Sequence, residues 1–469
     1  MKNIVICLPS DHYKKYFDNN AFLNLEKKYK VTYLLNKYKY KVSPPKNKKI
    51  IYYKTSKFSD VQYMSFIHLS MIKNKNKSKT FNYQFRRWYP NLYDFFQKSR
   101  QENWETKKYK NKLYFFLVTF LKYFYLPFLR RLKIKFLSLP FIYNFYKKKI
   151  IDRYPIDIEL FKILQKINPS LIIYPSHCFE PETIKLVKIS KKIGSKILFI
   201  IDNWDNLSSK TVFLEKPDAV TVWGKQSMKH AINVQNITKK NIFYLGSPKF
   251  DQYFLDRKKK FKNIFNFRYV LFIGVLQPFN EIEPLRAIDE EISLNKQLYK
   301  GLKLVYRPHP GREYLINKAS KEKFKNIIFD PRMHKFIKTR DKKFLLPKKN
   351  YYESLISNSL FMVGGLSTVV LEALIFNKRY HFFSYPEKFN LTDPEKLYNN
   401  AAHYNEINKI SYLSQCKNLK NLGKEFRELY KKKITKNYDI INELSYFYNH
   451  NDLNYRIKIL EITNKILNN

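Results

Sequence analysis

Short runs of hydrophobic residues alternate along the chain with longer segments in which apolar positions recur at helical spacing among lysines. Runs this short and this uniformly apolar are typical of parallel strands that helices cover on both faces. Strands that alternate with helices indicate an α/β fold. We predict ten strands, at residues 3–8, 30–35, 171–174, 196–201, 219–223, 241–245, 269–273, 303–306, 361–363 and 379–383.

The same pattern divides the chain into two domains. A turn at Gly246-Ser247-Pro248 leads into a lysine-rich stretch that ends at residue 262, shortly before the predicted strand 269–273. The length of 469 residues suits two hydrophobic cores better than one. We therefore predict an N-terminal α/β domain over residues 1–250 and a C-terminal α/β domain over residues 263–469, with only helices after residue 385.

The N-terminal domain contains a large insertion at residues 54–153, and its second part is unusual. No acidic residue lies between Glu105 and Asp152, while aromatic, aliphatic and basic residues are mixed throughout. The uncharged apolar run 113–121 is about half as long as a bilayer span requires. Aromatic and basic residues mixed on helices are typical of an anchor on anionic lipid, although core helices with solvated lysines give the same pattern. We predict membrane-surface helices here.

The composition gives the chain a strong positive charge. It has 89 Lys and Arg residues but only 39 Asp and Glu residues, so its formal net charge is +50. Such a charge favours a polyanionic partner. A codon bias that enriches Lys, Asn, Ile, Tyr and Phe would produce part of the same excess. No recognised nucleic-acid-binding module accompanies the charge, so an anionic membrane surface is the predicted partner and nucleic acid is not.

The cysteines and the N-terminus indicate the compartment. Cys7, Cys178 and Cys416 lie far apart, which indicates neither a disulfide framework nor a structural zinc site and favours a reducing environment. The apolar run 3–8 is too short for the core of a signal peptide. We predict a cytoplasmic protein that is peripheral at the inner face of the cell membrane.

The strongest candidate chemistry follows the predicted strand 303–306, in the segment Arg307-Pro308-His309-Pro310-Gly311-Arg312. Open α/β sheets bind ligands at the carboxyl ends of their strands. The flanking prolines restrict the backbone and fix the direction of the imidazole. We predict that His309 donates a hydrogen bond to a diphosphate and that Arg307 and Arg312 neutralise its charge. A structural turn histidine is the alternative.

A second motif, Gly364-Gly365-Leu366-Ser367-Thr368, joins the predicted strand 361–363 to a helix. The chain has only nine glycines, so two adjacent ones are notable. Free amides and hydroxyls at a helix start favour anions. Glu372, one turn further on, is predicted to bind ribose hydroxyls unless it is a helix-surface carboxylate. The predicted phosphate- and nucleotide-binding residues of this second motif and its helix are Gly364, Gly365, Ser367, Thr368 and Glu372. Gln277, after strand 269–273, is a further predicted one.

In the N-terminal half, a dense polar segment at residues 202–210 follows the predicted strand 196–201. A carboxylate at a strand end can act as a general base toward a hydroxyl. Asp205 is the first candidate for this role and Asp202 the second, while the alternative is that these aspartates cap a helix. His177 ends the preceding strand and is either another base or a structural residue. Lys210 completes the predicted cluster.

These motifs resemble the glycerophosphotransferase-like branch of GT-B enzymes, which includes CDP-glycerol glycerophosphotransferases and relatives in capsule and surface-polysaccharide synthesis. The resemblance covers residues 170–385. It implies a GT-B-like fold, with an acceptor-side Rossmann-like domain, a donor-binding Rossmann-like domain and an interdomain cleft. It also implies that His309, Ser367 and Thr368 hold the phosphates of the donor. It rests on the segment 202–210, Gly246-Ser247-Pro248-Lys249-Phe250-Asp251, Pro308-His309-Pro310, and Ser367-Thr368 with Glu372.

The N-terminal half departs from that branch. Those transferases carry a His-Gly pair before a downstream lysine, whereas this chain has Trp204-Asp205-Asn206 before Lys210. Similar His-Pro and Ser/Thr motifs occur in bacterial sialyltransferases and Kdo transferases, so a CMP- or UDP-linked sugar donor is equally open. Non-hydrolysing UDP-GlcNAc 2-epimerases share the fold but carry a Gly-Thr-Arg-Pro-Glu segment where this chain has Pro9-Ser10-Asp11-His12.

The residues and the resemblance together predict an inverting transferase. It moves a sugar or polyol phosphate from a nucleotide-sugar or CDP-polyol donor onto a glycan or lipid-linked acceptor of surface-polysaccharide synthesis. Asp205 is the predicted base, and His309 stabilises the departing phosphate. No Asp-x-Asp motif is present, so neither a metal nor a cofactor is predicted. The alternatives are a 2-epimerase-like enzyme and a non-catalytic membrane-associated scaffold with the same fold.

Overall fold

The computed structural model describes residues 1–9, 13–36, 47–54, 58–89, 120–276, 279–309, 311–312, 322–339, 350–388, 392–432, 440–450 and 454–468, together with a few single positions between them. The chain forms two compact units. The first comprises the described parts of residues 1–95, 111–252 and 445–469, and the second the described parts of residues 253–444.

A seven-stranded parallel sheet is the centre of the first unit. Its strands are β1 (Asn3–Leu8), β2 (Lys30–Asn36), β3 (Ile50–Tyr53), β4 (Leu171–Ser176), β5 (Lys196–Ile201), β6 (Ala219–Val222) and β7 (Ile242–Tyr244). Their order in the sheet is β3-β2-β1-β4-β5-β6-β7. The chain order therefore reverses between β1 and β4, which is the doubly wound Rossmann arrangement.

Helices connect these strands, and several of them lie between β3 and β4, where the insertion was predicted. A π-helical turn spans Leu121–Tyr125. The α-helices of the first unit up to β7 are Tyr13–Asp18, Leu23–Lys28, Phe58–Lys73, Lys79–Trp88, Leu126–Leu137, Pro140–Arg153, Ile158–Ile167, Glu182–Ile193, Asn206–Ser209 and Lys225–Asn233.

The second unit repeats the arrangement with a six-stranded parallel sheet. Its strands are β8 (Tyr269–Ile273), β9 (Lys303–Arg307), β10 (Ile327–Phe329), β11 (Met362–Gly364), β12 (Tyr380–Phe383) and β13 (Leu413–Cys416). Their order is β10-β9-β8-β11-β12-β13, so the chain reverses between β8 and β11. Helix Pro248–Asp256 leads from the first unit into the second. The later α-helices are Ile282–Leu294, Lys296–Tyr299, Pro331–Thr339, Tyr351–Ser357, Val369–Ile375, Pro394–Asn400, Leu422–Lys431, Ile441–Leu444 and Tyr455–Asn468.

The two parallel sheets confirm the predicted α/β class, and all ten predicted strands are present. Three further strands, β3, β10 and β13, were not predicted, and β13 contradicts the prediction of helices alone after residue 385. All three are edge strands. An edge strand has one neighbour and needs fewer apolar residues, as the partly exposed Ser414 and Gln415 of β13 show.

The last helix, Tyr455–Asn468, belongs to the first unit, whereas the sequence placed the whole of residues 263–469 in one domain. Tyr455, Ile459, Ile462 and Ile466 recur at helical spacing and pack in the same core cluster as Ile4 of β1. Covering the first sheet therefore requires a segment that follows the second unit in the chain.

Helices Leu126–Leu137 and Pro140–Arg153, the basic helix pair, have one buried side and one exposed side. Ile134, Tyr143 and Ile150 are buried in a cluster with aromatic residues of helices Phe58–Lys73 and Lys79–Trp88. Many of the other large apolar residues of the pair are exposed. None of the described helices combines the length and the hydrophobicity that crossing a bilayer requires.

Candidate functional site

In the second unit, three neighbouring strand ends bring the predicted motifs together. The register pairs Ile273 of β8 with Arg307 of β9 on one side and with Gly364 of β11 on the other. The loops that follow these strands leave the carboxyl edge of the sheet, and those after β8 and β11 flank the point where the chain order reverses. Ligands of doubly wound sheets bind at such a point. We call these three loops the strand-end site.

His309 lies half-buried in the loop after β9. Its Nδ1 accepts a hydrogen bond from the amide of Gly311 at 3.1 Å. The ring proton of the neutral imidazole is therefore on Nε2, which has no hydrogen-bond partner within the described part of the chain. Burial, together with the charges of Arg312 and Arg307, lowers the pKa of His309. At neutral pH His309 is thus a neutral donor through Nε2.

The buried carboxylate of Glu281 fixes two of these loops. It accepts hydrogen bonds from the Tyr306 hydroxyl at 2.6 Å, the Val275 amide at 3.0 Å and Arg312 Nη1 at 3.0 Å. Burial raises the pKa of Glu281, although Arg312 opposes the effect. A methyl group on Gly274 would lie 2.7 Å from the Glu281 carboxylate, so this position needs glycine. Glu281 is a positioning residue that the sequence did not reveal.

Both predicted arginines are already paired. Arg312 donates to Glu281 and also to the carbonyl of Phe279, at 2.7 Å. Arg307 forms an ion pair with the fully buried Asp330, and its guanidinium lies over the ring of Tyr352, 5.1 Å from the centroid. These contacts hold Arg307 at the end of β9 and Arg312 in the loop that follows it. The role of both residues as phosphate ligands stays a prediction. Gln277 and Pro310 lie outside the described residues.

The Gly364-Gly365 turn is packed so tightly that side chains would not fit. A Cβ on Gly364, whose φ is +155°, would lie 2.3 Å from the Ile273 carbonyl oxygen, and one on Gly365 would lie 2.4 Å from Val275. The Tyr380 hydroxyl donates to the Gly365 carbonyl at 2.8 Å. This turn therefore lies directly against the strand and the loop that precede Glu281.

Ser367 and Thr368, both half-buried, precede the seven-residue helix Val369–Ile375. The Ser367 hydroxyl accepts from the amide of Val369 at 3.3 Å. Glu372 in that helix is buried, which excludes the alternative of a helix-surface carboxylate. Its partner is Tyr352, whose hydroxyl is hydrogen-bonded to Glu372 and whose ring lies under Arg307. Tyr352 thus links the two motifs.

In the first unit, Asp202 lies at the centre of a buried polar cluster after β5. Its Oδ1 accepts from Lys15 Nζ at 2.8 Å and from the Tyr16 hydroxyl at 3.0 Å. Its Oδ2 lies 3.5 Å from Nε2 of His177, which follows the neighbouring strand β4. The structure thus brings Asp202 and His177 together, as the order of the strands requires. The surrounding donors give Asp202 the contacts of a structural carboxylate.

Asp205 lies three residues further on, before the short helix Asn206–Ser209. Its Oδ2 accepts from the Ser209 hydroxyl at 2.8 Å and lies 3.7 Å from Lys210 Nζ. The Lys210 ammonium also lies 5.8 Å from the centroid of the Phe179 ring. Asp205 and Lys210 are therefore paired and only partly buried, with side-chain exposures of 17% and 34%.

Glu180, which belongs to none of the motifs predicted from the sequence, lies in the loop after β4. Its carboxylate accepts from the His177 amide at 2.7 Å and from the Ser176 hydroxyl at 3.2 Å. Burial raises the pKa of Glu180 to about 7. Cys178 between them has a φ of +74°, in the left-handed region that a non-glycine residue adopts only when its surroundings hold it there. A carboxyl group that titrates near neutral pH is a candidate general base.

Comparisons with known proteins identify the fold. No family model and no curated protein sequence matches the chain. UDP-GlcNAc 2-epimerase from Methanocaldococcus jannaschii is similar in structure, with a TM-score of 0.52 at 11% identity over 98% of this chain and 99% of that one. MurG from Acinetobacter baumannii gives a TM-score of 0.44 at 9% identity over 99% and 100% of the two chains. The chain has a GT-B-like fold with two Rossmann-like domains.

Proposed function

We propose that the protein is a GT-B transferase that uses a nucleotide-activated sugar or polyol phosphate and acts at an anionic membrane surface. The observation that carries the proposal is the strand-end site of the second unit. It places the Nε2 donor of His309 on one side of the loop after β8, and a glycine pair without side chains and two hydroxyl residues, Ser367 and Thr368, on the other side. Preorganised donors of this kind stabilise the charge that develops on a departing phosphate.

In the proposed reaction, an acceptor hydroxyl attacks the activated carbon or phosphorus of the donor, and the nucleotide leaves with the bonding electron pair. His309 donates a hydrogen bond through Nε2 to the departing phosphate. Asp205 accepts the proton of the acceptor hydroxyl. The Lys210 ammonium lies 3.7 Å from the Asp205 carboxylate and balances its negative charge before this transfer. The glycan or lipid-linked acceptor follows from the resemblance to surface-polysaccharide transferases.

Nucleotide binding tests this proposal. The thermal midpoint of the whole chain is measured with UDP, CDP, CMP and GDP, and a ligand at 100 times its dissociation constant should stabilise the fold by about 2.7 kcal/mol. His309→Ala should lower the transfer rate about 100-fold or more. His334→Ala, which removes an exposed histidine of the same unit, should leave it unchanged. If none of the nucleotides binds, the scaffold alternative replaces the transferase.

The base is tested separately. Asp205→Asn should lower kcat by about 100-fold or more while the nucleotide affinity stays within about twofold of the wild type, because the base contacts the acceptor and not the donor. Glu180 is the competing candidate for the base, and Glu180→Gln tests it. Equal activity of Asp205→Asn and wild type, combined with a loss in Glu180→Gln, would transfer the role to Glu180.

A 2-epimerase activity is the second candidate, because the M. jannaschii 2-epimerase shares the fold along nearly the whole chain. The two activities differ in their need for an acceptor. Incubation with UDP-GlcNAc alone would produce its 2-epimer in an epimerase, whereas a transferase would leave the sugar unchanged until an acceptor is added. The sugar products can be separated by chromatography.

The exposed side of the basic helix pair supports the membrane part of the proposal. Phe136, Phe141 and Phe145 of the pair have exposures of 62%, 84% and 64%, and Leu139 in the link between its two helices has an exposure of 51%. Apolar side chains flanked by basic ones suit the interface of an anionic bilayer. The exposed basic residues of the pair are Arg130, Lys133, Lys135, Lys148 and Lys149.

Vesicle sedimentation tests this contact. The wild type should bind phosphatidylcholine vesicles that contain phosphatidylglycerol, and binding should fall with rising salt. Changing Phe136, Leu139, Phe141 and Phe145 to Ser should remove most of the binding. Leu294→Ser is the control, because Leu294 is 76% exposed in the second unit. Unchanged binding of the fourfold variant would refute the contact.

A further inference from the structure

Three possible metal ligands meet at the edge of the second sheet. His381 lies on β12, Cys416 ends the edge strand β13, and Glu425 lies on helix Leu422–Lys431. One nitrogen, one sulfur and one oxygen of these residues all lie within 4.8 Å of one another. His381 Nε2 and Glu425 Oε2 are 3.0 Å apart. We call these three side chains the β12–β13 triad.

The histidine is already oriented as a metal ligand would be. Its Nδ1 is hydrogen-bonded to the hydroxyl of Ser414 at 2.8 Å, and Ser414 is the residue that faces His381 in the strand register. Ligating histidines nearly always use their second ring nitrogen in this way, which fixes the ring and directs the other nitrogen at the metal. Here the directed atom is Nε2, on the side of Glu425.

The distances and charges suit one tetrahedral divalent ion. Zinc bonds of about 2.0 Å to nitrogen and oxygen and about 2.3 Å to sulfur place ligand atoms roughly 3.3–3.6 Å apart. The triad approaches this arrangement without a metal. A thiolate and a carboxylate would neutralise a divalent charge, which matters because Cys416 is fully buried and His381 is 2% exposed. The Glu425 side chain, 26% exposed, provides access from solvent.

The frame around the triad is rigid. Arg427, two residues after Glu425, forms a bidentate pair with Glu291, with both N–O distances at 2.8 Å. Leu422 and Phe426 of the same helix are fully buried. These contacts fix the position of the helix, so the carboxylate of Glu425 stays beside the two strands. Precise metal sites need this kind of support.

We infer that the β12–β13 triad is a binding site for one zinc-class divalent ion, which joins the edge strand to its neighbour and to the covering helix. His381 Nε2, Cys416 Sγ and Glu425 supply three ligands, and water completes the tetrahedron. The inference is independent of the proposed transferase activity, because none of the three residues has a role in that proposal.

Cobalt binding to the full-length, chelator-treated protein tests the inference. Co²⁺ should bind with one-to-one stoichiometry and give the visible absorption of a tetrahedral site together with a thiolate-to-cobalt charge-transfer band. Zn²⁺ should displace it. Cys416→Ala should abolish the charge-transfer band, whereas Cys7→Ala should retain it, since Cys7 is an equally buried strand cysteine of the first unit.

Glu425→Gln is the second variant, because the near-isosteric and partly exposed side chain spares the fold. It should weaken cobalt binding by at least about 10- to 100-fold, the range seen for lesser changes around metal sites. Loss in both variants with retention in Cys7→Ala supports the site. Absence of the charge-transfer band in the wild type, or the same band and affinity in Glu425→Gln, overturns it.

Discussion

The raised pKa of Glu180 predicts a particular dependence of stability on pH. Its carboxyl group has an ordinary pKa of 4.5, and burial raises it to about 7 in the folded protein. Between these values the folded state holds a proton that the unfolded state has released. The free energy of unfolding therefore falls as pH rises through this window and stays level above it. At about 1.4 kcal/mol per pH unit, the loss amounts to about 3 kcal/mol.

Glu180→Gln removes this titration and keeps the shape of the side chain. The amide oxygen can still accept from the His177 amide, which the carboxylate does at 2.7 Å. The stability of the variant relative to the wild type should thus increase by about 3 kcal/mol between pH 4.5 and pH 8. All other titrating groups are common to both proteins, and their contributions cancel in the difference.

Urea unfolding followed by tryptophan emission isolates the unit in question. A chain with two units need not unfold in one step, so a local probe is required. Trp88, Trp204 and Trp223 all lie in the first unit, together with Glu180. Trp104 is changed to Phe in every variant, because it lies outside the described residues. Glu159→Gln, at an exposed position, is the control and should change stability by less than about 0.5 kcal/mol.

The result that refutes this reasoning is a pH-independent difference. If Glu180→Gln and the wild type differ by the same free energy at pH 4.5 and pH 8, the carboxyl group does not titrate in the folded state as its burial requires. A difference that shrinks with rising pH would mean that its pKa is lowered. Either result also removes the main support for Glu180 as a competing base.

Three further substitutions test contacts within each of the two units. Gly364→Ala should lower the thermal midpoint through a loss of about 1–3 kcal/mol, because the new methyl group overlaps a strand carbonyl; an unchanged midpoint would contradict the tight packing. Arg312→Ala should cost about 3–5 kcal/mol by leaving the buried Glu281 uncompensated, and the double variant with Glu281→Gln should recover part of this loss in circular dichroism melts. Lys15→Met should cost about 1.5–3 kcal/mol in unfolding monitored by tryptophan emission, because Asp202 loses a charged donor; no change would show that the other donors suffice.

The central strands could be predicted from the sequence because a parallel strand with neighbours on both sides is apolar on both faces. β4 and β5, for example, are buried along almost their entire length. The edge strands β3 and β10 are only partly buried and are short, with four and three residues. The same reason hid β13 among helices. Periodicity detects burial, and strands with little burial escape it.

The candidate site could be predicted where function depends on residues adjacent in sequence. The His309 loop and the Gly364-Gly365 turn both follow recognisable strands, and the structure places them on either side of the loop after β8. Glu281 could not be found in this way, because its partners Tyr306 and Arg312 lie 25 and 31 residues away. The contact of Lys15 with Asp202 spans 187 residues. Such contacts become visible only when the strand order is known.

The β12–β13 triad illustrates the same limit for metal chemistry. The sequence motifs of zinc sites contain pairs of ligands that lie a few residues apart. His381 and Cys416 are instead brought together by the pairing of two strands, and Glu425 is added by the next helix. Three isolated cysteines therefore indicated no zinc site, although one of them lies within reach of a histidine and a carboxylate.

The position of helix Tyr455–Asn468 has a consequence for how the protein is made. The helix supplies Ile459 and Ile462 to the core of the first unit, yet a ribosome adds them only after the whole second unit. The sheet that begins at residue 3 must wait, with part of one face uncovered, while residues 253–444 are synthesised and can already fold. The second unit can thus complete its core before the first unit does. The first strand to be translated therefore belongs to the last core to close.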